Sequence, residues 1–331
     1  MRGLFLLSCL CAYTFASTCL TGVNLSGAEF GSAIPGRYGK DYTFPENSEV
    51  DYYMTKGMNY FRFPILWERS QGTANGPFNE TYMSKADAFI NYATGKGAHV
   101  LLDPHNYARY YKQVIGDGVP ASAFANYWTM LAKRYGNNNK VIFGLMNEPN
   151  TMKTELWLSD ANAAIAAIRG AGANNLITVP GNAWTGAWSW MQNWYGTPNA
   201  DVMTGIKDPG NNYVIEVHQY LDSDNSGTHA QCVSGTVGSQ KLAAFTAWAK
   251  KNNVKAIVAE WAGGANSVCY DAITDMLNYI DQNTDVYLGW SWWGGGPWWG
   301  NYIFALDPTN GQDAPQMKYL IPHLRGATCT P

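Results

Sequence analysis

Eight short runs of apolar, often β-branched residues recur along this chain, with helical patterns between them. The first three begin Thr21-Gly22-Val23-Asn24, Tyr60-Phe61-Arg62-Phe63 and His99-Val100-Leu101-Leu102-Asp103. Val141-Ile142-Phe143-Gly144-Leu145-Met146, Leu176-Ile177-Thr178-Val179 and Val214-Ile215-Glu216-Val217-His218 follow. Ala256-Ile257-Val258-Ala259 and Val286-Tyr287-Leu288-Gly289-Trp290 complete the series. Segments such as Tyr82–Tyr92, Ala121–Tyr135, Leu156–Arg169 and Leu242–Lys250 carry the helical period. Strand–helix alternation implies parallel strands, because parallel neighbours need a crossover connection. Eight such units predict an α/β fold, a (β/α)8 TIM barrel in a single domain. A doubly wound sheet would carry a Gly-rich phosphate loop after its first strand, and Gly22-Val23-Asn24-Leu25-Ser26-Gly27 lacks that spacing.

Met1-Arg2-Gly3 followed by the apolar run Leu4 to Ala12 has the form of a secretory leader, with Thr14-Phe15-Ala16 as the cleavage site. The expected organisation is therefore a signal peptide at 1–16 and a catalytic barrel over 17–331. No Ser/Thr/Pro-rich linker or small Cys-rich appendage is recognisable. The leader run is too short to span a bilayer of about 30 Å, and no other segment is long and apolar enough. Secretion, no membrane partner and a monomer are the expectations. The formal charge is −3, one unit more negative without Arg2, and only 14% of residues are charged. No basic run suits a nucleic acid.

Of six cysteines, Cys9 and Cys11 leave with the leader, and Cys19, Cys232, Cys269 and Cys329 remain. Four cysteines allow three connectivities. The favoured pairs are Cys232–Cys269, tying two loops on one face, and Cys19–Cys329, tying the chain ends at the bottom of the barrel. No close Cys/His spacing suggests zinc, and no metal or cofactor is expected. Asn24 and Asn79 begin glycosylation sequons. Asn24 falls on a core strand, which leaves Asn79 as the better candidate.

Polar groups cluster where the strands end. These are Arg62, His105, Asn147 with Glu148, His218 with Tyr220, Glu260, and Trp293. Taken singly, Arg62 reads equally as a buried ion-pair partner, and His105 or His218 as a satisfied core histidine. Six strands ending this way are harder to ascribe to accident, because buried charge is unfavourable unless paired or used. Two glutamates at the ends of two buried strands, Glu148 and Glu260, are what double-displacement cleavage of a glycosidic bond needs. Among the other carboxylates, Glu216 and Asp103 read as deeper structural partners of basic groups. Glu29 sits on the exit loop of the first strand, where it reaches substrate without a partner of its own. Asp222 and Asp224 read as solvated or turn-forming.

The chain resembles the family 5 glycoside hydrolases, and among them the secreted fungal endoglucanases acting on β-1,4-glucan. The resemblance rests on Gly27-Ala28-Glu29-Phe30-Gly31, Asp103-Pro104-His105-Asn106-Tyr107-Ala108-Arg109 and Met146-Asn147-Glu148-Pro149. His218-Gln219-Tyr220-Leu221-Asp222-Ser223-Asp224 and Gly289-Trp290-Ser291-Trp292-Trp293 extend it over nearly all of the mature chain. It implies Glu148 as acid/base and Glu260 as nucleophile of a retaining endo-β-1,4-glucanase. Arg62 and Tyr220 would keep Glu260 ionised, Asn147 would donate to the sugar 2-hydroxyl, His218 would orient Glu148, and His105 would line the adjacent subsite. Trp261, after the nucleophile, sits where related sequences vary.

Nine of the fourteen tryptophans fall in two clusters, Trp184, Trp188, Trp190 and Trp194, then Trp290, Trp292, Trp293, Trp298 and Trp299. Pyranose C–H faces pack on indole, so loops rich in tryptophan suit a β-glucan substrate. Trp290 is assigned to the core, Trp293 to the floor of the cleaved subsite, and Trp298 and Trp299 to a groove. An open groove favours internal cleavage of a polymer. Mannan, xyloglucan or mixed-linkage glucan remain alternatives within the same chemistry, and a non-enzymatic carbohydrate-binding barrel is the alternative outside it.

Overall fold

Each of the eight apolar runs becomes a strand in the computed structural model, which describes residues 18–326. The strands are β1 (Leu20–Leu25), β2 (Tyr60–Ile65), β3 (His99–Pro104), β4 (Val141–Gly144), β5 (Ile177–Pro180), β6 (Tyr213–His218), β7 (Ala256–Trp261) and β8 (Tyr287–Gly295). A helix follows each one: α1 (Asn47–Lys56), α2 (Glu80–Gly95), α3 (Ala121–Tyr135), α4 (Thr154–Gly170), α5 (Asn199–Val202), α6 (Val237–Lys251), α7 (Ser267–Gln282) and α8 (Met317–Leu320). The strands are parallel, and β1 bonds both β2 and β8, closing the barrel. Closure is tight at β1, where a Cβ on Gly22 would lie 1.6 Å from the Tyr60 carbonyl oxygen, so only glycine fits.

Side chains alternate between the two faces of each strand. One set, including Val23, Phe61, Val100, Phe143, Val217 and Val258, packs outward with helix residues such as Trp128, Trp157, Phe245 and Leu277. The other set fills the barrel floor with Leu20, Tyr60, Leu101, Ile142, Val214, Ile257 and Ala259. Above this floor the buried inward positions are polar: Asn24, Arg62, Asp103, Thr178, Glu216 and His218.

The strand alternation breaks once where it matters. Val217 pairs with Val258, but His218 pairs with Glu260; likewise Trp290 pairs with Val258 and Trp292 with Trp261. β7 thus carries one extra residue against both neighbours, a bulge that re-aims the chain next to the site. Ala259 packs in the barrel floor, and the adjacent Glu260 also bonds Arg62 inside the barrel.

Strand ends shift from the sequence reading by one residue or more. β4 ends at Gly144 rather than Met146, and β8 runs to Gly295 rather than Trp290. Cys232 and Cys269 form the expected disulfide, with Cα atoms 5.1 Å apart, joining the loop after β6 to the first turn of α7 rather than to a loop. Cys19 is disulfide-bonded, and its expected partner Cys329 lies outside the described residues, as does the leader at 1–16. Asn24 is fully buried, whereas Asn79 is exposed at the start of α2 and accepts from the Tyr82 N–H. No described helix is long and apolar enough to cross a membrane.

Candidate active site

Arg62 organises the mouth of the barrel. It is fully buried, and its guanidinium lies 3.1 Å from Glu260, 3.1 Å from Asp103 and 3.2 Å from Glu216. It also donates to Asn24 Oδ1 at 2.9 Å and to Asn147 Oδ1 at 2.8 Å. The two readings of Arg62, ion-pair partner and support for Glu260, therefore hold together. A buried guanidinium serves several carboxylates because its donors form a rigid fork.

Glu260 receives three contacts. Arg62 reaches Oε2, the Tyr220 hydroxyl donates to Oε1 at 2.6 Å, and His218 Nδ1 stands 3.7 Å from Oε2. Burial pushes this carboxyl's pKa up, but the His218 and Arg62 charges and the Tyr220 hydrogen bond outweigh it and hold it below the usual glutamate value. Glu148 behaves oppositely. Burial and the nearby Glu260 charge raise its pKa, although His218 donates to Oε1 from 2.8 Å. One carboxylate oxygen of Glu148 lies within 4.8 Å of one of Glu260.

Glu148 adopts a left-handed φ of +42°, sparsely populated for a residue with a side chain. The surrounding contacts fix it. Asn147 N–H bonds the Pro104 carbonyl, Asn150 Nδ2 bonds the Glu148 carbonyl, and Trp184 N–H bonds the Pro149 carbonyl. Ala183, Trp184 and Thr185 are left-handed as well, pinned where the Thr185 hydroxyl accepts from Gly181 N–H and bonds the Glu216 carbonyl.

Asn147 and His105 orient each other. Arg62 occupies Asn147 Oδ1, so Nδ2 faces His105 Nε2 at 3.1 Å as a donor. An amide nitrogen can only donate, which places the lone pair on Nε2 and the proton on Nδ1, 2.8 Å from Asp103. One N–H of the Asn147 amide is left for a ligand hydroxyl. His105 also stacks on the half-buried Trp293, with centroids 5.5 Å apart at 15°.

Aromatic side chains flank the carboxylates on two sides. Trp293 meets Trp299 edge-on at 5.5 Å, Trp299 meets Phe30 at 5.0 Å, and Trp298 is 42% exposed. Trp184, Trp188, Trp194 and Tyr195 form the other wall, beside the Glu148 turn. Trp290 is core, as expected, but Trp190 and Trp292 leave the groove set too. Trp190 packs on Phe245 and Trp248, and strand alternation turns Trp292 onto the buried Trp261.

Glu29 carries more than its sequence position suggested. Its Oε2 accepts from Gly27 N–H, while Oε1 is buried with no hydrogen-bond partner among the described residues. It lines a cavity of about 570 Å³ with Phe30, His105, Tyr107, Tyr111 and Trp293. A larger cavity of about 1040 Å³, between Glu49, Tyr52, Trp299 and Asp307, contains none of the polar strand ends. Asp222 is buried, not solvated, because its Oδ2 accepts the Thr228 and His229 N–H groups that shape the turn; Asp224 is exposed.

Among the described residues, two groups of acid and histidine side chains could be considered for a metal, Glu148 with His218 and Glu260, and Asp222 with Asp224 and His229. In the first, His218 presents Nδ1 to Glu148 and Nε2 to Glu216 at 3.2 Å, so both ring nitrogens are already engaged by carboxyl groups. In the second, the Asp222 oxygen is already taken by the turn.

A barrel mouth holding two glutamates whose proton affinities are pushed apart, walled by aromatic rings, is the arrangement of a glycoside hydrolase. The chain belongs to glycosyl hydrolase family 5: the family model described as Cellulase matches residues 18–296. Endo-β-1,4-glucanase B of Aspergillus niger is 44% identical over 88% of this chain and 85% of its own. Endo-β-1,4-glucanase A of Emericella nidulans is 41% identical over 94% of each. Among solved structures, XacCel5A in complex with cellopentaose superposes with a TM-score of 0.91 at 45% identity, covering 92% of this chain and 99% of that one. An endo-β-1,4-glucanase of Xanthomonas axonopodis pv. citri gives 0.92 at 44% identity, over 94% and 99%.

Proposed function

We propose that this protein is an endo-β-1,4-glucanase that cleaves internal bonds of cellulose and related β-glucans with retention of configuration. The observation that carries this reading is the Glu148–Glu260 pair. One oxygen of each lies within 4.8 Å of the other, a spacing compatible with a retaining pair, and the environment pushes the two proton affinities apart. Retaining pairs stand about 5–5.5 Å apart, whereas inverting pairs leave roughly 6.5–9.5 Å for a water. Glu148 protonates the leaving oxygen and Glu260 attacks the anomeric carbon. In the second half Glu148 takes a proton from the incoming water, which releases the sugar from Glu260.

The contacts support the other roles. Arg62 and Tyr220 hold Glu260 ionised, and His218 orients Glu148. The free N–H of Asn147 meets the sugar 2-hydroxyl, while Trp293 and His105 form the floor under the cleaved unit. The Trp184 wall, beside the acid, receives the leaving portion; Trp298 and Trp299 line the opposite end. The names of the Aspergillus and Emericella relatives and the cellopentaose complex support β-1,4-glucan as substrate. The leader-like 1–16 segment supports secretion of the barrel that follows it.

The test follows carboxymethylcellulose viscosity against release of reducing ends. A steep viscosity drop with few new ends is the expected result. No change in either, with activity on mannan or xyloglucan instead, would refute the substrate assignment.

A further inference from the structure

Glu216 sits on β6 two residues before His218, 1% exposed and out of reach of any substrate. Each of its oxygens is engaged. Oε1 lies 3.2 Å from His218 Nε2 and 3.2 Å from Arg62 Nη2, and Oε2 accepts the Thr178 hydroxyl at 2.5 Å. The opposite nitrogen of the same imidazole stands 2.8 Å from Glu148 Oε1. A carboxylate–imidazole–carboxylate line therefore runs from the barrel interior to the proposed acid/base. A neutral imidazole has a single N–H and can donate to only one of them. Facing Glu216 and an ionised Glu148 calls for both N–H groups.

We propose that Glu216 is a positioning residue for the hydrolytic reaction: anchored by Thr178 and Arg62, it keeps His218 doubly protonated and aimed at Glu148 through the whole catalytic cycle. This inference rests on the reading of Glu148 as acid/base. That carboxyl must be protonated when the leaving group departs and ionised when water attacks. An imidazolium N–H donates to Glu148 Oε1 in both states, so the side chain is not released between the halves. His218 gives up no proton. The leaving oxygen takes the Glu148 proton, and water restores it.

The groups around the ring agree with this role. Glu148 faces it from the turn after β4, Glu260 from β7 at 3.7 Å, and Glu216 from its own strand. Arg62 on β2 and Asp103 on β3 lie behind Glu216, with Tyr60 near Glu216 and Tyr220 on Glu260. Burial pushes His218 down, but Glu260 and the hydrogen bonds to Glu148 and Glu216 prevail and lift it to about 9. Neutralising Arg62 is not a sufficient account of Glu216, because Asp103 and Glu260 already flank that guanidinium.

Glu216→Gln tests the proposal through the pH profile of kcat/KM on cellopentaose, whose leaving sugar needs the Glu148 proton. Removing the anion eases proton loss from the Glu148–His218 pair, so the alkaline limb moves to lower pH by about one unit. Activity reduced equally at every pH, with both limbs unmoved, would reduce Glu216 to a structural role and overturn the proposal. Should that variant not fold, ¹⁵N NMR of the wild-type imidazoles gives an independent reading. His218 is one of five histidines, and both of its ring nitrogens are expected to be protonated at pH 7. A neutral tautomer there would equally overturn the proposal while leaving the Glu148 assignment to its own leaving-group test.

Discussion

The side-chain amide of Asn24 donates to the main-chain carbonyl of Ala259 at 2.9 Å, reaching past β8 to hold the bulge that turns Glu260 into the barrel. Ser291 donates to the same carbonyl from β8 at 2.6 Å. Asn24 Oδ1 in turn accepts from Arg62 Nη1. One buried amide thus links the backbone behind the nucleophile to the guanidinium in front of it. Asn24→Ala is expected to lower kcat roughly tenfold, about 1.4 kcal/mol, with KM nearly unchanged. Steady-state kinetics on cello-oligosaccharides check this, and an unchanged kcat would mean that Ser291 holds the bulge alone.

Glu260→Ala is expected to abolish turnover while keeping oligosaccharide affinity within about tenfold, since binding is spread over the aromatic walls. Calorimetric titration with cellopentaose beside an activity assay tests it. Retained turnover would sink the nucleophile assignment.

For Glu148→Ala the loss should depend on the leaving group. An activated aryl glycoside departs without a proton, whereas a sugar oxygen needs one, so activity on cellulose should fall at least about a hundredfold more. Equal losses on both substrates would count against Glu148 as the acid.

Glu29 offers an unpartnered, buried oxygen to the cavity beside His105 and Trp293. A hydrogen bond to a sugar hydroxyl there is worth about 1–1.5 kcal/mol. Glu29→Ala should therefore reduce kcat/KM on cellopentaose by about tenfold. A variant indistinguishable from wild type would remove Glu29 from the cleft.

Asp160 on α4 supplies a pH dependence of stability. It is 1% exposed, neither oxygen has a hydrogen-bond partner among the described residues, and burial lifts its pKa to about 7. The unfolded chain releases this proton near pH 4, so the contribution present below that value is lost as pH rises towards 7. Calorimetric Tm values across pH 4–8 should show Asp160→Asn gaining on wild type as pH increases. A difference independent of pH would contradict a buried, protonated Asp160.

Much of the barrel was legible in the sequence, since all eight strands lie where apolar runs were read, and α3 has the expected bounds. Residues at strand ends were legible for the same reason. The period of two places Glu216 and His218 on one inner face, because an unbroken strand alternates. Trp190 escaped this logic: it lies outside any strand, and only packing against Phe245 and Trp248 decides its burial. Asn24 was noticed only as a glycosylation sequon, because its three strand partners are far away in the chain.

What the sequence by itself determined is the alternation of strand and helix, the polar strand ends and the pair of glutamates, all of them local patterns set by backbone period and hydrophobicity. Tertiary structure alone decided that Glu260 faces inward after Ala259, that His218 stands between Glu148 and Glu216, and that one guanidinium serves three carboxylates. The physical reason is that proton affinity depends on burial and on charges brought within a few ångströms. Those neighbours come from strands separated by up to 198 residues of chain, and barrel closure is what brings them together.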